Sequence, residues 1–433
     1  MKSCAFNHLA MAGLLIVGVA SVNTSEATTF HVSPAARGGG NGSPAAPFGD
    51  PASAVDAASP GDTIVLSQGT YRLKRALTVD KAHLKLLAVS GERVVLAAPD
   101  SVNTVLEIVA SGVLIQDLTI QGGYYGIKID LENGRPTRGV TIRNCKIGST
   151  AADCMKIFSA DNLLIDSCQI GPSGSKQSDN AEGIDIVASV GVTIRGCVVE
   201  NTATNGIYIK GGTRNGIIER CLIRNPGHGG ILLGQDTDLE YMRDKAVNEA
   251  INCVARNNIV IGARVAGLGT YSGKQVRFYN NTLVDVARDG QAAFWVVTNQ
   301  RNVPAEQVEF RNNIVVVNSD RPVMFIKDAA GLPDTDHNLF QAKGGVKFVR
   351  EVTDNESFNK TWTLDQWRNS VAKDAHSVEA EAKLDPRQYR PVAGSPAIGA
   401  GARIAGIDDD YTGARRMPAG AWDMGAILPA IAK

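Results

Sequence analysis

Three carboxylates and one lysine set the chemistry that this sequence can support. Asp153, Glu182 and Asp185 lie on two successive repeats of one short phrase, and Lys210 lies on the next. Hard cations such as Ca²⁺ take several carboxylate oxygens, so the trio has the composition of a Ca²⁺ site that also binds the carboxylates of an acidic polymer. Glu182 and Asp185 are opposite in strand parity and about 10 Å apart along an extended chain, so they share an ion only if the chain bends at Gly183. Lys210 suits the role of a base. Removing a proton α to a carboxylate, as β-elimination of a uronic-acid polymer demands, needs a base and a positive centre for the enolate-like charge. A lysine serves when burial or neighbouring cations pull its pKa toward neutrality. Tyr208 and His228 are candidates to donate to the leaving oxygen, and Lys128, Lys156, Asn205 and Tyr271 to bind substrate. Plainer readings stand beside these: Lys156 and Asp185 as an exposed ion pair worth little, Lys210 as a strand-end lysine, His228 as a hydrogen-bonded turn residue.

The elements that must position these side chains are legible as a repeat. An apolar residue, a small or amide residue three positions on and another apolar residue two further recur at Ile142-Cys145-Ile147, Ile165-Cys168-Ile170, Ile194-Cys197-Val199, Ile218-Cys221-Ile223, Val254-Asn257-Ile259, Phe278-Asn281-Leu283 and Phe310-Asn313-Val315. An earlier copy is Ile115-Leu118-Ile120. The spacing runs from 23 residues (Cys145 to Cys168) to 36 (Cys221 to Asn257). Val and Ile dominate, polar residues alternate with them, and Gly, Asn, Asp and Ser punctuate the runs, which points to strands. A unit that cannot bury its apolar face alone stacks on its neighbours. The expectation is an all-β, right-handed parallel β-helix. A second column, Gly126-Ile-Lys-Ile129, Cys154-Met-Lys-Ile157, Gly183-Ile-Asp-Ile186, Gly206-Ile-Tyr-Ile209 and Gly230-Ile-Leu-Leu233, sends alternate residues inward and leaves Lys128, Lys156, Asp185 and Tyr208 on the outer face.

Composition narrows the function classes. With 44 basic and 44 acidic residues the formal charge is zero, which argues against a nucleic-acid partner or a polybasic membrane surface. Residues 1–27, with Lys2, the apolar run from Leu9 to Val22 and the small residues Ser25 and Ala27, read as a secretory signal, so a secreted or periplasmic location is expected. No later stretch approaches the roughly 20 apolar residues of a membrane span. Cys145, Cys168, Cys197 and Cys221 share one position of four coils and read as inward thiols, with Asn257, Asn281 and Asn313 continuing the column.

The expected organisation is an N-terminal cap over 28–75 with a short helix around Ala52 to Ala58, coils over 76–330, and an irregular C-terminal region over 331–433. Asp236 to Ala250 reads as a helical excursion beside the groove, and a helix is expected after Trp362 with Thr363 as its cap. The tail from Gly394 to Ala426 reads as a closing cap, its Asp408-Asp409-Asp410 run as a solvated turn. A monomer is expected.

Three family resemblances meet on the coils. The segment from Pro60 to Tyr71 resembles the opening of secreted β-helix polysaccharide lyases, including the chondroitinase B and alginate lyase family. Ala181-Glu-Gly-Ile-Asp185 followed by Asn205-Gly-Ile-Tyr-Ile-Lys-Gly-Gly212 resembles the family-nine pectate lyases. That resemblance implies Ca²⁺ at Asp153, Glu182 and Asp185 and a lysine base at Lys210, although the lysine falls two residues later in its strand than in that pattern. The chondroitinase B and alginate lyase family also ends such a strand with a lysine, but its arginine one coil on is Gly234 here, and its calcium glutamates fall on Thr204 and Asn205. Asn180-Ala-Glu182, Thr204-Asn205 and Gly227-His-Gly229 resemble the motif positions of polygalacturonases. Inverting hydrolysis needs two carboxylates, and the second position is Thr204-Asn205. The implied activity is thus Ca²⁺-assisted lyase cleavage of an acidic polysaccharide, with a non-catalytic carbohydrate-binding protein and a hydrolase as the alternatives.

Overall fold

The computed structural model describes residues 26–429, apart from 37, 177, 329–330, 355 and 418–419. The signal expected over 1–27 falls almost wholly outside the described residues. The chain winds into a parallel β-solenoid of about 11 turns. Three sheets of 12 strands each form its walls, and each coil visits them in the same order. The first sheet begins with Thr29–Val32, the second with Gly69–Arg72 and the third with Leu77–Val79.

One residue per coil explains the repeated phrase. Between the first and second sheets the chain turns through a left-handed residue: Asn144, Ser167, Gly196, Arg220, Asn257, Asn280, Asn312 and His337 in successive coils, with φ between 50° and 61°. Asn tolerates that region best among residues with a Cβ, which is why it recurs there. The next residue points inward. That column reads Cys145, Cys168, Cys197, Cys221, Asn258, Asn281, Asn313 and Asn338, all buried. The expected Asn257 is therefore displaced by one: Asn257 is the turn residue, and Asn258 is the member of the column. Each inward amide accepts from the backbone of the preceding coil, as in Asn258 N to Asn281 Oδ1 (3.0 Å) and Asn281 N to Asn313 Oδ1 (2.9 Å). The six cysteines from Cys145 to Cys253 are free and buried.

The third sheet stacks Ile127, Met155, Ile184, Ile207, Ile231 and Leu268 into the core in register. Its outer strip runs Lys128, Lys156, Asp185, Tyr208 and Leu232.

The structure differs from the sequence reading in three places. Asp236 to Ala250 holds two short 3₁₀ turns, Leu239–Tyr241 and Arg243–Lys245, and no α-helix. The tail does not close the end of the solenoid but lies along its flank: buried Arg416 donates to Asn257 Oδ1 and to the carbonyls of Asp409, Asp423 and Gly425. Asp410 is 1% exposed, not solvated, and its carboxylate accepts from the amides of Thr412, Ala414 and Leu428. The end itself is covered by helix Leu364–Val371, capped by Thr363 as expected, whose Trp367 stacks on Phe348. At the other end helix Pro51–Ala57, capped by Asp50, fills the expected place.

Candidate functional site

The turns between the second and third sheets stack Asp153, Glu182 and Asn205 on successive coils. Each stands just before its third-sheet strand: Met155–Phe158, Ile184–Val187 and Ile207–Lys210. Backbone bonds hold the stack, from Cys154 N to Glu182 O (3.0 Å) and from Gly183 N to Asn205 O (3.0 Å). Gly183 has no room for a side chain, since a Cβ would stand 2.5 Å from Gly206 O. Because the strand begins only after this glycine, Glu182 and Asp185 reach one site despite their parity, and oxygens of Asp153, Glu182 and Asp185 lie within 4.8 Å of one another.

All three carboxylates are buried. Asp153 Oδ1 accepts from Glu182 N (2.8 Å), while Glu182 Oε1 accepts from Thr204 Oγ1 (2.7 Å) and Asn205 Nδ2 (3.3 Å). Asp153 Oδ2, Glu182 Oε2 and Asp185 Oδ1 accept no hydrogen bond. Lys156 enters this cluster. Its ammonium is 3.3 Å from Asp153 Oδ2 and hydrogen-bonded to Asp185 Oδ2. Burial alone would lower the Lys156 pKa, but the charges of Asp185 and Asp153 outweigh it and hold the ammonium above its usual range. Burial, only partly offset by Lys156, pushes the Asp153 carboxyl well up, and burial also raises Glu182. One ammonium thus stands against three carboxylates. An oxygen donor set in which three buried carboxylate oxygens accept no hydrogen bond fits a hard divalent cation.

Lys210 lies on the same outer face. Tyr208, its neighbour two positions earlier, pairs in register with Asp185, and the Lys210 ammonium sits over the Tyr208 ring at 4.7 Å from the centroid. Among the described residues no carboxylate pairs with Lys210, in contrast to Lys156 and to Lys128, which pairs with Asp130 at 2.7 Å. The end of the Lys210 strand is pinned: Thr213 Oγ1 donates to Lys210 O (2.7 Å), and Gly211 N donates to buried Glu249 Oε2 (3.0 Å). Gly211 and Gly212 turn there with φ of 69° and 75°, a region that suits glycine. Tyr208 is only 2% exposed, and burial followed by the Asp185 charge pushes its phenol well up. It stays protonated and presents its ring to Lys210.

Asn205 links the acid cluster to His228. Its Nδ2 donates to Glu182 Oε1, which turns Oδ1 toward Gly229 N (3.0 Å) and His228 Nδ1 (3.2 Å). Since that oxygen only accepts, Nδ1 of His228 carries the proton and Nε2 is bare. Burial, then Arg264, lowers the His228 pKa, so the neutral ring is the resting form. The ring meets Trp295 edge to face at 6.0 Å, and Trp295 meets half-buried Tyr271 at 5.9 Å. Trp295 was missed from the sequence because its strand, Phe294–Val297, lacks the Gly-Ile start. The alternation of Phe294 and Val296 was the signal that sends Trp295 outward. A further group with ligand atoms within 4.8 Å, Asp336, His337 and His376, lies far along the chain at the other end of the coils and was not foreseen.

Residues 102–335, just over half of the chain, match the family described as the right handed beta helix region. The chain belongs to the right-handed β-helix family. No curated protein sequence matches this β-helix protein. Among solved structures it is similar to pectate lyase Pel9A, with a TM-score of 0.62 and 16% identity over 94% of this chain and 97% of that one. It is similar to the A-module of mannuronan C-5 epimerase AlgE6 from Azotobacter vinelandii, with a TM-score of 0.57 and 14% identity over 77% and 96%. It is also similar to XylC in complex with xylose, with a TM-score of 0.54 and 10% identity over 92% and 98%. At these identities the likeness is one of fold. Among the described residues no helix is long and apolar enough to cross a membrane.

Proposed function

We propose that this β-helix is an exported protein that binds an acidic, uronate-containing polysaccharide across its third sheet and cleaves it by β-elimination, with Lys210 as the base. The observation that carries the reading is the division of labour between two lysines on one face. Lys156 is clasped by Asp153 and Asp185 and serves as the fixed cation; Lys210, which has no carboxylate partner among the described residues and lies over the Tyr208 ring, takes the role of the base in this reading. A fixed ammonium is also what the reaction needs beside the base, because the charge that develops on the substrate carboxylate must be met by a preorganised positive group. Two of the similar folds are named for pectate and mannuronan, both uronate polymers, which supports the substrate class.

Asp153, Glu182 and Asp185 would hold Ca²⁺, which when bound would supply further positive charge for a substrate carboxylate. Tyr208, at 2% exposure, supports the Lys210 amine and does not reach a leaving oxygen. Lys128, Asn205 and Tyr271 border the same face, Lys128 one coil before Lys156 and Tyr271 beside Trp295.

His228 favours a second assignment within the same reaction. A neutral imidazole with a bare Nε2 accepts a proton before it can give one, so His228 is a rival base to Lys210 and not the donor that its residue type alone suggests. The test is to incubate the protein with pectate, alginate and glycosaminoglycans, with and without Ca²⁺, and follow absorbance of the unsaturated product. Product on a uronate polymer is expected. Reducing ends without unsaturation would indicate hydrolysis, and no product on any acidic polymer would leave a binding protein.

A further inference from the structure

A sizeable groove lies not at the acid cluster but on the coils before it. It is a groove of about 1170 Å³ where the second sheet turns into the third. Arg72, Lys74, Arg75 and Arg93 line it, and none of the four forms an ion pair among the described residues. Its one carboxylate, Asp100, has only Lys176 at 3.9 Å. In a chain with 44 basic and 44 acidic residues, four unpaired cations on one concave wall are a local excess that the whole-chain balance conceals.

The groove and the acid cluster lie on one stack of turns. Gly123 N donates to Ala98 O (3.0 Å), and Ala151 N donates to Gly123 O (3.0 Å), so three successive turns are hydrogen-bonded into a single ridge. Gln121, in the strand Thr119–Gly122 that enters the second of these turns, and Ser149, in the third, line the groove, and Asp153 follows Ser149 by four residues. Coils rise about 4.8 Å each, so the distance from groove to cluster is a few coils.

The geometry points to a second, polyanion-binding site at this groove, which takes the carboxylates of an extended uronate chain whose other part lies over Lys156 and Lys210. The inference rests on the proposed substrate class, but the groove binds without chemistry. Guanidinium groups suit it because each presents a planar fork to a carboxylate, and exposed contacts of this kind tune affinity and salt dependence more than they fix geometry. Its consequence is a preference for long chains: an oligomer too short to span both regions uses only one.

The test measures binding of short and long oligomers of alginate and polygalacturonate by calorimetry, with production of unsaturated ends followed separately. The wild-type protein is expected to bind long oligomers more tightly than short ones, with an affinity that falls as salt rises. The variant Arg72→Gln/Arg93→Gln should lose about threefold to tenfold for long oligomers and nothing for short ones, each exposed charge contact being worth a modest factor. Lys74→Gln/Arg75→Gln should act alike, and an unchanged melting temperature shows that either variant is folded. Equal affinity of wild type and both variants for long oligomers, or no binding of any uronate oligomer, would overturn the groove. Length-dependent binding that the variants abolish, without unsaturated product from the wild type, would leave the groove standing and remove the lyase reading.

Discussion

Asn205 dictates which nitrogen of His228 carries the proton: its Oδ1 lies 3.2 Å from Nδ1 while its Nδ2 is committed to Glu182, so the amide cannot turn over without losing a buried bond. The acid cluster, through one side chain, thereby sets the state of an imidazole one coil further on. Asn205 is a positioning residue, and its replacement is informative in a way that deleting His228 is not.

In the wild-type protein His228 should titrate below its ordinary value near 6.5. A folded-state value lower than the unfolded one means that the unfolded chain binds more protons in that window. The stabilising contribution is present above about pH 6.5 and is lost as pH falls. Asn205→Asp should raise the His228 pKa by placing a carboxylate against Nδ1. Imidazole NMR titration of the two proteins checks both statements, and a wild-type value above 6.5 would contradict them.

Removing Lys156 takes from three buried carboxylates the only cation that pairs with them among the described residues. Lys156→Met is expected to lower stability by about 1–3 kcal/mol, less than a fully buried pair because the lysine side chain is 24% exposed. The same variant should gain more from added Ca²⁺ than the wild type does, since the ion then meets the carboxylates without a competing ammonium. Melting temperatures with Ca²⁺ and with a chelator measure this. An equal Ca²⁺ response in both proteins would place the ion elsewhere.

The asparagine column should be stiff to substitution at its middle. Asn281 donates to Ala255 O and Asn313 Oδ1 and accepts from Asn258 N and Nδ2, so Asn281→Ala leaves several buried groups without partners. A loss of about 2–5 kcal/mol in a denaturant titration is expected. Asn280→Ala, at the neighbouring left-handed position, should act instead through the backbone and the flanking tail.

The tail is held to the flank by a buried guanidinium whose pKa burial lowers to about 10. Arg416→Ala should loosen its hold on Asn257 and expose the segment after Ala382 to limited proteolysis, while the coils stay resistant. Cleavage that begins within the coils would contradict the tail's independence.

The coils were legible because their determinants are local: an inward apolar residue every second position and a punctuating residue at each turn are written in every repeat. The thiol column and the outward placing of Lys156, Asp185 and Tyr208 follow from that alone, and the Thr363 cap from an equally local signal. What sequence could not supply was burial on the outer face. Tyr208 and Asp185 point away from the core yet are covered, because the strip they share is packed by neighbouring long side chains, which parity does not reveal. The entry of Glu182 into the cluster depends on the bend before Ile184, and the one-residue shift at Asn257 depends on which of two adjacent asparagines turns the chain. The tail's course along the flank rests on contacts more than 140 residues apart in sequence, such as Asn257 with Asp409 and Thr282 with Ala426.

Lys210, the lysine without a carboxylate partner among the described residues, is proposed to remove the proton. Its most direct test is the initial rate of unsaturated-product formation on polygalacturonate and alginate by the wild type, Lys210→Ala and His228→Ala, with folding of each checked by its melting temperature. Product is expected from the wild type, with a loss of at least about a hundredfold in Lys210→Ala, as for a general base, and substantial activity left in His228→Ala. Wild-type-like turnover by Lys210→Ala together with an inactive His228→Ala would contradict it and move the base to the imidazole that Asn205 holds.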